Sequence, residues 1–300
     1  MQGPNEPDVN PTCPPPRLFK YLHPDRVDVL KTGKICFSSP TNLNDPFELK
    51  PPLRLYESEE SMWATVENLL PQLIADTVAE LPHHQRHLVT EAQVEAVVRA
   101  QMVSRDIGFV STIKRLMPDL HARFNSEMEK RIGILCLTEA PDDLLMWAHY
   151  ACSHEGFAIE FDPEALFFHQ RRTKKDELRH LRPVHYSNIR PSLTFDKADM
   201  KALLTKSEHW AYEREWRMMV DLSDASTVLN FGGKSFHLFA FPTSSIKSVI
   251  LGSRMPKGTR QEILSLIRGS ADLEHITCYQ ASIDENFFRV NINPAEGPIQ

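Results

Sequence analysis

Glycine is scarce in this chain. Only 11 of its 300 residues are glycine, whereas glycine usually makes up about 7% of a globular protein. No G-x-G-x-x-G motif occurs, and the Gly233-Lys234-Ser235 segment lacks the first glycine of a P-loop because Val228 stands there. This segment is more typical of a hairpin turn. The composition therefore argues against nucleotide sites built from glycine-rich backbone loops.

Paired cysteines and long apolar runs are lacking as well. The five cysteines are odd in number and none forms a C-x-x-C pair, which argues against a disulfide framework and against a zinc knuckle. No apolar run approaches the roughly 18 residues of a membrane helix, and no secretory signal pattern begins the chain. We therefore expect a cytoplasmic protein without a membrane partner.

Negative charge outweighs positive charge. Lys and Arg number 34 and Asp and Glu number 40, which gives a net charge of −6. This balance argues against a broad surface for nucleic acid or anionic membranes. The short basic run within residues 171–175 is expected to be a solvated loop, although a local nucleic-acid groove stays open as an alternative. The 41% share of hydrophobic residues is enough for a sizeable core.

The composition changes at both ends of the chain. Residues 1–16 contain six prolines and are predicted to form a disordered leader, and residues 293–300 are predicted to form a loose tail. Between them, residues 17–292 are predicted to form a single domain. Its fold class is expected to be α+β with a mixed, mostly antiparallel sheet, because several strands follow one another directly.

Hydrophobic periodicity predicts the elements of this domain. Apolar residues at helical spacing over 58–130 predict a helical insertion of two to four amphipathic helices, interrupted near Pro82 and Pro118. A helix is also predicted from Pro24 to a cap at Gly33. The further predicted helices are 142–150, 199–213 and 260–268. The predicted strands are 17–22, 35–38, 132–137, 157–161, 184–186, 216–220, 246–251, 276–280 and 288–292.

Two carboxylates, Glu213 and Glu215, stand two residues apart at a predicted helix-to-strand junction. In an extended segment, residues i and i+2 point to the same side, so the pair can face one pocket. One carboxylate can stabilise a positive charge that develops on a sugar, while the other orients or deprotonates a nucleophile. The alternative is a structural ion-pair cluster in which Arg214 and Arg217 neutralise both acids.

The first two predicted strands bring a cation, aromatic rings and hydroxyls together. Lys20 and Tyr21 lie in the first strand, and Phe37, Ser38 and Ser39 lie at the end of the second. Such groups can bind a ribose, a phosphate and a flat ring. An ordinary strand edge followed by a loop is the alternative interpretation.

Two further motifs carry polar side chains. The Asn44-Asp45-Pro46-Phe47-Glu48 segment predicts a fixed turn, from which Asp45 and Glu48 can reach a substrate. The predicted helix 142–150 contains Trp147, His149 and Tyr150. The large rings of Trp147 and Tyr150 are typical of a hydrophobic core. His149 and His154 are five residues apart and no HExxH motif occurs, so no metal is expected. A hydrolase of phosphoesters or glycosides that uses His149, Glu139 and Glu215 remains an alternative.

The motifs occur in a characteristic order within residues 17–292. They are Lys20-Tyr21, Phe37-Ser38-Ser39-Pro40, Asn44-Asp45-Pro46-Phe47-Glu48, Cys136-Leu137-Thr138-Glu139, Met146-Trp147-Ala148-His149-Tyr150, Gly156-Phe157 and Glu213-Arg214-Glu215-Trp216-Arg217. This set resembles a large, mostly bacterial family that is known as a domain of unknown function. That resemblance covers nearly the whole predicted domain and implies no activity.

The order of the first elements more distantly resembles the ADP-ribosyltransferase-like superfamily. The resemblance implies a split, mostly antiparallel sheet, NAD as a substrate, no metal, and a role in bacterial defence or stress. It implies that Glu215 is catalytic and that Glu213 is the first acid of the pair. The NAD-binding residues that it implies are Lys20, Tyr21, Phe37, Ser38 and Ser39, with Lys20 in place of the usual His or Arg. The residues expected to support the substrate or the structure are Asn44, Asp45, Glu48, Trp147, His149, Tyr150 and Arg217.

Three functional hypotheses remain at this point. The first is an enzyme that cleaves the nicotinamide–ribose bond of NAD and transfers the ADP-ribosyl group to an acceptor, which is a side chain, a nucleotide or water. Such an enzyme binds a small-molecule nucleotide, and its acceptor can be a protein or a nucleic acid. The second is a non-catalytic binding or regulatory module on the same scaffold. The third is the hydrolase.

Overall fold

The computed structural model describes residues 14–54, 56, 58–80, 90–194 and 200–295. The described chain forms two compact units. The first unit comprises the described residues within 1–49, 128–190 and 203–300, and the second comprises those within 50–127 and 191–202. The predicted leader therefore lies largely outside the described residues, as does the end of the predicted tail.

Strands predominate in the first unit, and the two long helices lie mostly in the second. The strands are β1 Leu18–Leu22, β2 Lys34–Phe37, β3 Leu53–Arg54, β4 Ile132–Thr138, β5 Phe157–Phe161, β6 Leu181–Pro183, β7 His185–Tyr186, β8 Leu193–Thr194, β9 Thr205–Lys206, β10 Glu215–Asp221, β11 Thr227–Phe231, β12 Lys234–Ala240, β13 Ile246–Leu251, β14 Thr277–Ile283 and β15 Val290–Pro294. The α-helices are α1 Asp28–Thr32, α2 Glu59–Glu80, α3 Glu91–Arg131, α4 Leu144–Tyr150 and α5 Lys257–Gly269. Short 3-10 helices connect several of them. Each predicted strand is confirmed within a few residues, and the mixed α+β class with a mostly antiparallel sheet is confirmed too.

Eight strands form the main sheet in the order β15-β14-β13-β5-β1-β4-β10-β6. All neighbouring pairs are antiparallel except β13 and β14, which α5 connects. Alternation along β1 divides its side chains between two cores: Leu18 and Leu22 pack in the larger one, and Phe19 and Tyr21 in the smaller one. The sheet is therefore covered on both faces, and α4 covers the second face through Met146 and Trp147.

Strands β1 and β4 diverge in the middle of the main sheet. Their pairing register consists of Phe19 opposite Thr138, and beyond this point Ile134 of β4 bridges to Ser38 at the end of β2. The carbonyl of Cys136 on β4 instead accepts a hydrogen bond of 3.0 Å from Lys20 Nζ. A backbone carbonyl without a partner is costly away from water. The lysine therefore stabilises the opening between the two strands.

A smaller sheet has the order β11-β12-β2. Gly232 and Gly233 connect β11 to β12 with φ values of 57° and 75°, which confirms the predicted hairpin turn at Gly233-Lys234-Ser235. In the register with β2, His237 lies opposite Phe37. The preceding residues of β12 therefore extend past the end of β2. The predicted cap of α1 is also confirmed, because Gly33 adopts φ 59°.

The second unit contains α2 and most of α3, with a small core in which Leu70 and Val94 are buried. Two long helices agree with the predicted helical insertion. The predicted break at Pro118 is wrong, because α3 continues through it. A proline removes one hydrogen bond from a helix, and α3 continues on both sides of Pro118 despite that loss. The predicted break at Pro82 lies outside the described residues.

The predicted helix 199–213 is also wrong. Residues 205–206 form β9, which pairs in parallel with β7, and 3-10 helices Met200–Leu203 and Glu208–Glu213 flank it. Ser207 accepts a hydrogen bond from the backbone N–H of His209, so a new helical segment begins after the strand. The tertiary pairing with β7 therefore overrides the helical period of this segment. None of the helices in the described part of the chain has the length and apolar character to cross a bilayer.

Candidate functional site

The opening between β1 and β4 continues into a cavity of about 280 Å³ in the first unit, which we call the acidic cleft. Its walls come from β1, β4, α4, the loop after β2 and the junction that precedes β10. The acidic cleft is lined by Phe19, Lys20, Tyr21, Ser38, Asn42, Leu43, Asn44, Glu48, Cys136, Leu137, Thr138, Met146, His149, Tyr150, Lys206, Glu213 and Glu215.

The two predicted carboxylates both line this cleft, but the backbone between them is not extended. Glu213 ends a 3-10 helix, Arg214 adopts the left-handed region at φ 43°, and Glu215 begins β10. The Glu213 carbonyl accepts a hydrogen bond from Thr138 Oγ1 on β4, which anchors the junction against the main sheet. The two acids share a side because of this anchored turn, and not because of strand alternation. Arg214 is exposed.

Lys206 on β9 connects the two carboxylates. Its Nζ lies 2.5 Å from Glu213 Oε2, 3.1 Å from Glu215 Oε2 and 3.5 Å from Glu48 Oε1. It also lies 5.0 Å from the centre of the Trp210 ring, within the range of a cation–π interaction. Lysine is rarely buried unless it is paired. One buried ammonium thus holds three carboxylates in place.

Arg217 binds the same carboxylates from the β10 side. Its guanidinium is fully buried and donates to both oxygens of Glu215, at 2.5 and 2.9 Å, and it is also paired with Glu48. Burial lowers the pKa of Arg217 to about 9, and the charge of Asp45 opposes this shift. A buried guanidinium that is bidentate to a carboxylate fixes that carboxylate in one orientation. The predicted ion-pair partner Arg217 is therefore present, while Lys206 takes the place expected for Arg214.

Burial and charge shift the protonation equilibria in the cleft. Burial raises the pKa of Glu215, and the Lys206 ammonium opposes the shift. For Lys206 itself, burial acts to lower the pKa, but the Glu215 and Glu213 carboxylates outweigh it and the pKa is raised. Burial, followed by the charge of Glu213, raises the pKa of Tyr150, whose hydroxyl donates to Glu213 Oε1 at 2.5 Å. Lysine and phenol are thus kept protonated beside the acids.

Lys20, Tyr21 and Ser38 of the expected NAD site line the acidic cleft, but Tyr21, Phe37 and Ser39 also have structural contacts. The ring of Phe37 is 1% exposed, packs 4.6 Å from the centre of the Phe239 ring, and lines a second pocket instead. The Tyr21 hydroxyl donates to the carbonyl of Ala140. Ser39 Oγ donates to the carbonyl of Glu129. The tertiary structure therefore uses these three side chains in packing and in backbone hydrogen bonds.

Some of the residues expected to support the substrate or the structure line the acidic cleft, and others do not. Asn44, Glu48, His149 and Tyr150 line the cleft, and Asn44 forms a side-chain hydrogen bond with Tyr150. Asp45 is buried beside the cleft and accepts a hydrogen bond from the backbone N–H of Phe47, as its predicted turn requires. Trp147 is fully buried in the core, where its Nε1 donates to the carbonyl of Pro141.

The three residues of the hydrolase alternative are not brought together. His149 and Glu215 line the cleft, whereas Glu139 accepts a hydrogen bond of 2.6 Å from Trp216 Nε1 and is not among the lining residues. Among the residues that the structure describes, no group of three or more His, Cys, Asp or Glu side chains is arranged to hold a metal ion.

Sequence reasoning missed Lys206 and Tyr186, which both bond to the acid pair. Lys206 was placed within a predicted helix, where a single lysine is typical of a solvated face. Tyr186 accepts a hydrogen bond of 2.8 Å from the Glu215 N–H, and nothing in its short strand distinguishes it from a core tyrosine. The one available signal was the pair of acids itself, because buried carboxylates require a cation nearby.

One comparison with known proteins matches the part of the chain that contains most of the charged residues of the cleft. A family model described as a protein of unknown function (DUF2971) matches residues 146–218. Over this segment, which holds His149, Tyr150, Lys206, both acids and Arg217, the chain is similar to a family whose description names no activity. Searches of curated proteins and of solved structures found no match.

Proposed function

We propose that this protein is an ADP-ribosyltransferase-like enzyme that cleaves the nicotinamide–ribose bond of NAD. The observation that carries the proposal is that Glu213 and Glu215 line one cleft together with Lys20 of β1 and Ser38 after β2. A further support is the fixed orientation of the acids, because Lys206 and Arg217 hold Glu48, Glu213 and Glu215 in place. A carboxylate held beside the reacting carbon favours a transition state that gains positive charge.

The proposed reaction separates the ribose carbon from the nicotinamide nitrogen. The electron pair of the C–N bond leaves with nicotinamide, which becomes neutral, and the ribose carbon becomes an oxocarbenium ion. Glu215 accepts a hydrogen bond from the ribose 2′-hydroxyl and stabilises this cation. Glu213 takes the proton of the acceptor as the acceptor oxygen or nitrogen bonds to the ribose carbon. The rings of Tyr150 and His149 line the same cleft and offer flat surfaces to nicotinamide.

The ion pairs at the acids define how the substrate must enter. Both oxygens of Glu215 and both oxygens of Glu213 already have partners within the chain. A ribose hydroxyl therefore exchanges with one contact of Lys206, whose three donors can be redistributed, while Arg217 keeps Glu215 oriented. Lys206 is accordingly a positioning residue in this proposal.

Nicotinamide release tests the proposal directly. The full chain is incubated with NAD, and free nicotinamide is measured for the wild type, Glu215→Gln, Glu213→Gln and the exposed control Glu164→Gln. We expect release by the wild type and the control, and a loss of at least about 100-fold for Glu215→Gln, because one electrostatic contact to the transition state is removed. Circular dichroism reports whether each variant is folded. A folded wild type that neither binds NAD nor releases nicotinamide contradicts the proposal.

The pH dependence offers an independent test. Glu215 must be ionised to stabilise the cation, and burial raises its pKa above the usual 4.5. The acidic limb of the kcat/KM profile, which reports ionisations of the free enzyme, should therefore lie above pH 4.5, with kcat/KM increasing as the pH rises through the folded pKa. A limb at the ordinary carboxyl pKa would show that Glu215 does not control turnover.

A non-catalytic binding module is the second candidate. The observation that favours it is the pairing of Glu48, Glu213 and Glu215 with Lys206 and Arg217, which is also what a purely structural cluster requires. This candidate predicts that a partner co-purifies with the protein while NAD is neither bound nor consumed.

A further inference from the structure

A second pocket of about 340 Å³ adjoins the acidic cleft in the first unit. We call it the basic pocket. Its polar lining consists of Lys20, Arg26, Ser38, Asn42, Lys234 and Ser235. The function proposed above does not use Arg26, Lys234 or Ser235.

The register of the smaller sheet explains how the pocket forms. Strand β12 starts at Lys234 and meets the last residue of β2 only at His237, opposite Phe37. The first three residues of β12 therefore extend beyond β2, beside Ser38, and form one wall of the pocket. Phe236 within this extension is half-buried and also lines the pocket. The opposite wall is formed by Lys20 of β1 and by Arg26, which precedes α1.

The charge in this pocket has one sign. Three cations line it, and none of its described lining residues is a carboxylate. Arg26 is paired with Asp28 at 2.9 Å, which offsets part of its charge. Lys20 donates to a backbone carbonyl, which carries no net charge, and Lys234 is exposed. Lysine and arginine donors beside hydroxyl groups form the environment in which proteins bind phosphate oxygens.

The two pockets are adjacent, because Lys20, Ser38 and Asn42 line both of them. A ligand that passes these three residues would reach from one pocket into the other. One end of that ligand meets three carboxylates that are paired with Lys206, the other end meets Arg26 and Lys234, and Lys20 lies between the two ends. A ligand matched to both ends therefore has a neutral or cationic part joined to a multiply charged anion.

We propose that the basic pocket binds the phosphate ester or pyrophosphate part of the small molecule whose other end occupies the acidic cleft. The proposal rests on the proposed function only for the identity of that other end. A phosphate ester is favoured over a monocarboxylate because three cations and two hydroxyls can satisfy two or more negative charges.

The test uses inorganic pyrophosphate as the probe and the full-length chain as the receptor. Isothermal titration measures its affinity for the wild type, Lys234→Gln, Arg26→Gln and the control Lys257→Gln, an exposed lysine that lines neither pocket. We expect binding that weakens as salt is added, and a loss of roughly tenfold for Lys234→Gln and for Arg26→Gln. The control should bind as the wild type does. Equal affinities for Lys234→Gln and Lys257→Gln, or no binding to the wild type, overturn the proposal.

Two further probes identify the source of the phosphate. ADP-ribose should compete with pyrophosphate, whereas free ribose should not, if the ligand is a nucleotide diphosphate. Competition by ribose 5-phosphate of equal strength instead indicates a monophosphate ester. Glu164→Gln should leave pyrophosphate binding unchanged, because Glu164 is exposed and lines neither pocket. A protein that binds pyrophosphate in the basic pocket but releases no nicotinamide would therefore refute the proposed reaction and leave this inference standing.

Discussion

The acidic cleft and the basic pocket meet at Lys20, Ser38 and Asn42, yet they use charge in opposite ways. In the acidic cleft, five charged groups are almost fully buried, and each carboxylate touches a cation. In the basic pocket, Lys234 is exposed and Arg26 is half-buried. Water screens the charges of the basic pocket but not those of the cleft.

This difference teaches which charges the fold depends on. A charge without water costs several kcal/mol unless it is paired, so removing one partner of a buried pair leaves the other uncompensated. An exposed charge keeps its hydration, and its removal leaves stability almost unchanged. The cleft is therefore expected to combine stability and function in the same residues, whereas the basic pocket contributes to binding alone. Three substitutions test this contrast.

Arg217→Met should have the largest effect. It removes the buried bidentate partner of Glu215, so that Lys206 remains as the cation for three carboxylates. We expect the free energy of unfolding to fall by about 3–5 kcal/mol, measured by urea denaturation. Arg214→Met is the matched control, because Arg214 is exposed three residues earlier. A loss below about 1 kcal/mol for Arg217→Met would mean that the carboxylates do not depend on this cation.

Lys206→Met should have a smaller effect, about 3 kcal/mol, because Arg217 remains paired with Glu215 and Glu48. Adding Glu213→Gln should restore part of the loss, since one of the uncompensated carboxylates becomes neutral. The double variant therefore separates charge repulsion from lost packing. If Glu213→Gln lowers the free energy of unfolding of Lys206→Met by as much as it lowers that of the wild type, the two residues are not coupled.

The Lys206 pKa determines how the stability difference between the wild type and Lys206→Met depends on pH. Because the folded pKa lies above the ordinary 10.5, the stability that Lys206 contributes is fully present below pH 10.5 and is lost as the pH rises through the folded pKa. The difference in unfolding free energy between the wild type and Lys206→Met should thus be constant from neutral pH to about pH 10, and then decrease. A difference that decreases already near neutrality would contradict the ion-pair assignment.

Lys234→Gln should have the smallest effect on stability, within about 0.5 kcal/mol, because its side chain is exposed at the start of β12. The same variant is expected to weaken pyrophosphate binding, so stability and binding separate in this pocket. A loss of stability comparable to that of Lys206→Met would remove the contrast between the two sites.

Much of the strand framework was predictable from local pattern. The alternation at 157–161 and 246–251 and the glycine pair at 232–233 predicted β5, β13 and the β11–β12 hairpin. The carboxylates Glu213 and Glu215 were identified from their spacing, and both line the cleft. These features were accessible because they depend on side-chain periodicity and on turn chemistry, which are local properties.

Other features depend on neighbours that are distant in the sequence. Lys206 belongs to the site because β9 pairs with β7, and that pairing replaced the helix that the local period predicted. Phe37 does not line the acidic cleft, and its ring packs against Phe239 on β12 and Phe167. The sequence around Lys206 and Phe37 does not predict the β7–β9 pairing or the packing of the Phe37 ring. Tertiary pairing overrides local propensity at these positions.

The sequence by itself determined the strand order along the chain, the capped and hairpin turns, and the presence of two acids that require a cation. Only the tertiary structure decided which cation that is, where the sheet opens, and how acidic and basic groups divide between two adjacent pockets. The physical reason is that periodicity and turn chemistry act over a few residues. Burial and charge pairing, by contrast, are set by which distant strands meet.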